Sequence, residues 1–256
     1  MKVNLIPMAG MGQRFLNEGY NIPKPLIEID GLPMVVRAWK SLPPADKNIL
    51  ICQSRHIKEY PIKKILKNHI PNLTIIEING LTEGQAITCL AAENHIPKNS
   101  ILTIGASDND MTYDHSKIDS MINNSSIDGW IWTFRKNPTV LKDPYMYGWV
   151  LKNSINKNAI GISCKKPISK NPINDHAVIG AFTFKKSQYF FESVNKMIKL
   201  NKRVNNEFYV DVAMDFCIKS KKNIKIFEVN QYICWGTPSD YETFNYWLSY
   251  FRNRNI

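Results

Sequence analysis

The chain is predicted to fold as α/β: a single Rossmann-like three-layer domain around a mostly parallel central sheet. Three observations carry this reading. Short apolar runs alternate with amphipathic stretches through the first half, the pattern of strand–crossover–strand units. The first run breaks at a small-residue turn, Ala9-Gly10-Met11-Gly12, of the kind that opens a ligand site at the carboxyl end of a parallel strand. Finally, 256 residues with 44% hydrophobic content suit one large domain with its own core.

Taken in order, Val3 to Ile6 reads as a buried strand. After Gly31-Leu32-Pro33 a helix with apolar periodicity runs through Trp39 and stops at Pro43-Pro44. Asn48 to Cys52 is a buried strand, and Pro61 to Asn68 a basic amphipathic helix with proline in its first turn. Leu73 to Ile78 is a strand, Gln85 to Asn94 a helix and Ser100 to Ile104 a further strand. Right-handed crossovers between such elements give a parallel sheet covered by helices on both faces. The second half changes character. Gly129 to Phe134, Tyr147 to Leu151, Ala159 to Cys164 and Ala177 to Phe184 are aromatic and β-branched strands between polar turns. Helices follow at Ser187 to Leu200 and Glu207 to Ser220, then a strand at Ile224 to Val229 and an aromatic helix at Tyr241 to Phe251. No repeat or flexible linker divides the chain, so one domain spans 1–256. Trp39, Trp247 and the aromatic C-terminal stretch are expected to close the core.

Composition narrows the function classes. Cys52, Cys89, Cys164, Cys217 and Cys234 are dispersed without a Cys-x-x-Cys pair, which argues for reduced thiols and against a disulfide frame or structural zinc. No apolar run reaches the length of a membrane span, and the chain enters a strand without a signal-like segment, so a cytoplasmic location and no membrane partner are expected. The net charge of +11 raises the question of nucleic acid, but no RNA-binding module accompanies it, and none is expected as a partner. His56, His69, His95, His115 and His176 show no spacing suited to a metal or a proton relay; His176 stands out only because it begins a strand. The oligomeric state stays open.

The chemistry concentrates in two places. Leu5 to Phe15 holds the glycine turn, whose two glycines are expected to give positive φ and close access to backbone amides, followed by Arg14 with its fork of donors. Pro23-Lys24-Pro25-Leu26 places a lysine between two prolines, expected on a stiff extended segment. A glycine cradle, an arginine and a braced lysine are apparatus for a polyphosphate. A Walker A loop is excluded, because no Gly-Lys-Ser/Thr follows the glycines, and so is a dinucleotide fingerprint, because Phe15 stands where the third glycine belongs. In the second place, Ile101 to Asp110, an apolar strand delivers Asp108 and Asp110 two residues apart, facing one side if extended and suited to Mg²⁺. An acidic turn or a helix cap is the competing reading of the same residues.

Gly10-Met-Gly12-Gln-Arg14-Phe15 with Pro23-Lys24-Pro25-Leu26 resembles the signature of the nucleotidyltransferases that make sugar nucleotides from a nucleoside triphosphate and a sugar 1-phosphate. With Trp235-Gly-Thr-Pro238, the chain looks like the capsule-biosynthesis branch of that family, most of all its CTP-dependent phosphoglutamine cytidylyltransferases. The resemblance spans nearly the whole chain and implies a GT-A-like fold. It implies that residues 1–125 form a nucleotide-binding half and residues 126–256 an acceptor-binding half with the C-terminal helix. It assigns Arg14 and Lys24 to catalysis, and Met8, Ala9, Gly10, Met11, Gly12, Glu83, Gly84, Gln85 and Ser107 to the nucleotide. Tyr147, Gly148, Lys166 and Glu207 fall to the acceptor, and Asp108 with Asp110 to Mg²⁺. CTP as donor and phosphoglutamine as acceptor come from the resemblance alone; the base is not readable from Gln85, whose amide offers both a donor and an acceptor.

Two departures stand out. Lys165 replaces the glutamate of a Glu-Lys-Pro motif that helps hold the sugar. Cys234 stands where many relatives carry a metal-holding aspartate, so a second carboxylate would have to come from elsewhere, such as Asp110 or Asp211. An Asp-x-Asp also serves nucleotide-sugar-dependent glycosyltransferases, but those lack the paired glycine and Pro-Lys-Pro-Leu motifs.

Overall fold

In the computed structural model, which describes residues 1–156 and 158–254, strand β1 (Lys2–Pro7) is followed by the short helix α1 (Gln13–Asn17). A small hairpin, β2 (Glu28–Ile29) and β3 (Leu32–Pro33), leads to α2 (Met34–Lys40). Next come β4 (Lys47–Gln53), α3 (Ser54–Glu59), α4 (Ile62–Lys67), β5 (Leu73–Ile78) and α5 (Gln85–Leu90). Strand β6 (Ile101–Ile104) passes through a bend into β7 (Asn109–Thr112) and α6 (His115–Asn123). The second half holds β8 (Gly129–Phe134), α7 (Thr139–Lys142), β9 (Gly148–Lys152), β10 (Ala159–Cys164), β11 (His176–Phe184), α8 (Ser187–Lys199) and α9 (Val210–Lys219). It ends with β12 (Ile224–Glu228), β13 (Gln231–Cys234) and α10 (Pro238–Asn253).

The main sheet runs β10-β9-β11-β6-β1-β4-β5, with β8 beside β11 and β12 beside β8. From β6 to β5 every neighbour is parallel, as the alternation of apolar runs and helices requires. β11 then crosses antiparallel to β6, β8 and β9 and closes the second half as a mixed sheet. Side chains along the central strands alternate between faces. Val3, Leu5, Ile49 and Ile51 pack with α5, α8 and α9 residues such as Cys89, Phe190 and Met214. Ile6, Leu50 and Cys52 turn to the other face, against Val35 and Val36 of α2 and Ile62 and Leu66 of α4. Both faces are therefore covered, giving three layers.

Three features differ from expectation. The helix expected from Glu207 begins only at Val210, and Glu207 bridges to Val204 ahead of it. The helix from Gln85 stops at Leu90 and gives way to a single tight turn at Glu93–His95. The C-terminal aromatic helix does not close the core: its first turns pack on the body through apolar side chains, and its last turn is tied on only by the surface ion pair of Arg252 with Asp30. Tyr241 and Phe244 join a small cluster with Phe15, Tyr20 and Trp235. Beyond them the rings stack on one another, Trp247 on Phe251 at 6.0 Å, and Trp247 is 49% exposed. Trp39 behaves as expected: half-buried on α2, it donates from Nε1 to Asn48 Oδ1 at 2.8 Å. All five cysteines are free.

Candidate active site

The site lies at the carboxyl ends of β1, β4 and β6. After β1 the Met8 amide donates to Ile51 O at 2.9 Å, and the Gln53 side-chain amide donates to Ala9 O, so the turn is pinned to β4. Among the described residues, the amides of Gly10, Met11 and Gly12 donate to no protein group. Three neighbouring free donors beside a cavity form an anion cradle. Only one of the two glycines needs positive φ: Gly12, at +65°, turns the chain into α1, and a Cβ there would press on Lys24 Cβ at 3.0 Å. Gly10 lies outside the left-handed region and faces open space.

Lys24 is not on an extended segment. Pro23 is extended, but Leu26 N–H bonds Pro23 O and Ile27 N–H bonds Lys24 O, closing one tight 3-10 turn at Lys24–Leu26. Neither proline can donate to a strand ladder, so the turn is the local alternative. It aims the lysine inward. Lys24 Nζ donates to Asp108 Oδ2 at 2.6 Å and to Gly236 O at 2.9 Å, and lies 5.3 Å from the centre of the Phe15 ring.

Two cavities meet at this pair. The larger, about 510 Å³, is walled by Met8 to Gln13, Ser107, Gly84 and Glu207. The smaller, about 250 Å³, is walled by Arg14, Tyr147, Gly148, Lys165 and Asp211. Lys24, Gln85, Asp108 and Tyr209 line both. Gln85 reaches the junction because Gly84, at φ +120°, brings the chain against the 207–208 segment. The Phe208 amide donates to Glu83 O at 2.8 Å and Ala86 N–H to Phe208 O at 2.9 Å, and a Cβ on Gly84 would lie 2.6 Å from Phe208 N. The smaller cavity is shaped by Gly180, where β11 shifts register against β8 at positive φ.

Five expected site residues sit elsewhere than expected. Arg14, expected with the glycine turn at the polyphosphate, lines the smaller cavity and not the amide-lined one. Asp110 lines neither cavity. Asp108 lies in the bend before β7, so the two-residue alternation does not run through it, and the Asp110 carboxylate turns to accept the Met111 amide at 2.7 Å. Burial pushes its carboxyl up, against the Met111 hydrogen bond and the nearby Arg37. Lys166 is exposed outside the cavities, while its neighbour Lys165 lines the smaller one. Lys165 has left-handed backbone at φ +58°, which swings its side chain inward under the Tyr209 ring. Glu83 is exposed and pairs with Arg203 at 3.1 Å. Glu207 lines the larger cavity and not the one holding Tyr147 and Gly148.

The position of Cys234 is also informative. Strand β13 pairs with β7, setting Cys234 opposite Asn109, and the Trp235 amide donates to Asp108 O at 2.8 Å. Burial, aided by the Asp108 charge, pushes the Cys234 thiol up to about 11, so it stays protonated, and its Sγ accepts the Gly236 amide at 3.2 Å. A protonated thiol is no ligand for Mg²⁺. Among the described residues no three acidic, histidine or cysteine side chains converge as a metal cage. Asp108 alone fits the other mode for Mg²⁺, one carboxylate plus phosphate oxygens and water. His176 lines neither cavity. It is buried, shares a 3.1 Å hydrogen bond with Thr133 Oγ1, and its imidazole is pushed down to about 4 by burial.

The whole fold has known counterparts. With 20% sequence identity, the chain superposes on the nucleoside-diphosphate-sugar pyrophosphorylase of Vibrio cholerae RC9 at a TM-score of 0.75, over 94% of this chain and 98% of that one. It superposes on the inositol-1-phosphate CTP transferase of T. maritima at 0.72, with 15% identity, over 96% and 95% of the two chains. A UDP-glucose pyrophosphorylase complexed with UDP-glucose gives 0.73 with 19% identity, over 97% and 99%. This is the nucleotidyltransferase fold. No protein-family model matches the chain. In sequence, 101 residues, 40% of the chain, are 31% identical to the bifunctional IPC transferase and DIPP synthase of Archaeoglobus fulgidus, and the matched stretch spans 19% of that protein. Sequence reasoning passed over Tyr209, raised Asp211 only as a substitute metal carboxylate and Lys165 only as a departure from a motif; all three wall the smaller cavity, where Asp211 shares the lining with Asp108. The Asn-Glu-Phe-Tyr run carried the one available signal, a tyrosine just before a helix with an acidic first turn. Among the described residues no helix is long and apolar enough to cross a membrane.

Proposed function

We propose that the chain transfers a nucleoside monophosphate from a nucleoside triphosphate to a phosphorylated small molecule, releasing pyrophosphate. The observation that carries this is the Lys24–Asp108 pair, 2.6 Å apart and shared by an amide-lined cavity and a second cavity beside it. Residues 1–125 supply most of the donor side and residues 126–256 most of the acceptor side. The donor we favour is CTP and the acceptor phosphoglutamine, in capsule modification. The resemblance to the capsule branch supports both, and the CTP transferase among the solved relatives supports the cytidine donor.

In this reading the acceptor phosphate oxygen forms a bond to the α-phosphorus in line as the bond to the bridging oxygen breaks, and pyrophosphate leaves with the electron pair. The acceptor is already anionic, so no general base is required. The residues position the reactants and offset charge. The Gly10–Gly12 amides cradle the phosphates, Lys24 lies by the α-phosphate, Arg14 offsets charge on the departing pyrophosphate, and Gln85 pairs with the base. Asp108 is the residue that would hold Mg²⁺ delivered with the triphosphate, which would supply further charge neutralisation.

A second reading, a sugar 1-phosphate as acceptor with UTP, dTTP or CTP, is favoured by the sugar-nucleotide pyrophosphorylases sharing the fold. A glycosyltransferase reading is weakened by Asp110, which turns from the cavities and leaves no paired Asp-x-Asp. A pyrophosphate-release screen that crosses the ribonucleoside triphosphates and dTTP with phosphoglutamine and sugar 1-phosphates tests the proposal. Release from CTP with phosphoglutamine is expected; release only from UTP or dTTP with a sugar 1-phosphate would overturn the finer assignment, and none from any pair would overturn the class.

A further inference from the structure

The smaller cavity carries a pair of opposite charges that the transfer chemistry does not use. Asp211 lies in the first turn of α9, and its carboxylate accepts no hydrogen bond from another residue among the described ones. Burial pushes its carboxyl up, and the nearby Lys165 pulls it back down. Gly148 on β9 makes room for it, since a Cβ there would collide with Asp211 Oδ1. Lys165 is fixed from the opposite strand. Its amide donates to Tyr147 O at 3.0 Å, its Nζ donates to Met146 O, and its ammonium lies 5.4 Å from the centre of the Tyr209 ring. The two charges are not a salt bridge with each other among the described contacts, yet both wall one cavity of about 250 Å³.

Such an arrangement is costly unless something enters. A part-buried carboxylate without a donor loses solvation, and a left-handed lysine stores backbone strain, the kind of cost that persists where a ligand exploits it. A ligand answering both groups carries an anion for Lys165 and a charged donor for Asp211. A neutral polyol phosphate supplies only hydroxyls beyond its reacting phosphate, and so brings neither a second anion to Lys165 nor a charged donor to Asp211.

Resting on the phosphoglutamine reading above, we infer that Lys165 and Asp211 are the residues that read the zwitterionic end of the acceptor, Lys165 taking its carboxylate and Asp211 its ammonium. Lys165 thus takes over the acceptor contact that the motif alone assigns to Lys166. Both are specificity-determining residues and leave the transfer step itself to Lys24 and Arg14.

The test measures KM and kcat for acceptor and for CTP in the full chain, for wild type, Lys165→Met, Asp211→Asn and Lys166→Met. The acceptors are phosphoglutamine, its analogue lacking the α-carboxylate, its analogue lacking the α-amino group, and glucose 1-phosphate. CTP binding by calorimetry checks that each variant is folded. Lys165→Met is expected to raise KM for phosphoglutamine about 10- to 100-fold, the range for a hydrogen bond to a charged group. It should not alter KM for the analogue lacking the carboxylate. Asp211→Asn should do the same with respect to the amino group, and Lys166→Met should change neither. KM for CTP should hold throughout. Equal losses on all acceptors, or a wild type that prefers glucose 1-phosphate, would overturn the inference and leave the transferase class standing. A wild type that binds CTP yet releases no pyrophosphate with any acceptor would overturn both.

Discussion

Lys24 and Asp108 are 84 residues apart in the chain, and their side chains meet at 2.6 Å where the two cavities join. The contact ties the turn after the first strand to the bend after β6, and the Gly236 carbonyl ties both to the C-terminal segment at 2.9 Å. Replacing Lys24 by Met removes the cation and leaves Asp108 without its partner. Turnover is expected to fall about 10²–10³-fold, the loss of one transition-state donor. Arg14→Met should fall by a similar factor. Single-turnover pyrophosphate release measures both.

Gly84 and Gly10 should respond oppositely to the same substitution. Gly84→Ala puts a Cβ 2.6 Å from Phe208 N at a φ that side chains avoid, so a loss of about 2–4 kcal/mol in unfolding free energy is expected. Gly10→Ala meets nothing within 4 Å and should leave stability within about 0.5 kcal/mol of wild type. Any effect of Gly10→Ala should fall on triphosphate affinity. Urea titration together with CTP binding separates the two.

Cys234→Asp tests the meaning of the missing carboxylate. A Cβ added to Gly236 would meet both the Cys234 sulfur, at 3.1 Å, and Asp108 Oδ2, at 3.6 Å, so an aspartate at 234 would stand near Asp108. Without a divalent ion the like charges should destabilise the chain. With Mg²⁺ and CTP present, the concentration for half-maximal activity should drop several-fold. An unchanged Mg²⁺ response would show that Asp108 needs no second carboxylate.

His176 predicts an acid-sensitive fold. Its folded-state value, about 4, lies below the ordinary 6.5. As pH falls through 6.5 the unfolded chain takes up a proton that the folded chain refuses until about 4. The contribution is complete above 6.5 and lost as pH drops to 4, by about 3 kcal/mol at most. His176→Gln should flatten that part of the stability–pH curve, measured by denaturant unfolding between pH 7 and 4.5.

The parallel half of the fold was legible because its strands are buried on both faces and read as unbroken apolar runs. β8 and β10 were legible to the residue, as aromatic or β-branched runs between polar turns. The donor side of the site was legible for the same kind of reason, since a glycine turn after a first strand is a local signal. Lys165 was not. A lysine in left-handed backbone leaves no mark in sequence, and that one dihedral decides which of two adjacent lysines faces the cavity. Asp110 was misplaced because period-two reasoning holds within a strand, and the chain between β6 and β7 bends. The exposed face of α10 was hidden by composition, because aromatic density marks packing without saying against what.

The cluster of Phe15, Tyr20, Trp235, Tyr241 and Phe244 gives the phosphate turn its backing. Tyr241 meets Phe15 edge-on at 6.3 Å and Tyr20 at 5.9 Å. The turn is therefore held on one side by hydrogen bonds to β4 and on the other by rings from α10, and the helix α1 that leaves it ought to come apart together with that aromatic backing. In native-state hydrogen exchange, α1 amides such as Asn17 should open with the first turns of α10 as one cooperative unit, at lower free energy than β1 and β4. Donor grip, in that sense, is a property of two distant stretches of chain acting as one small folding unit.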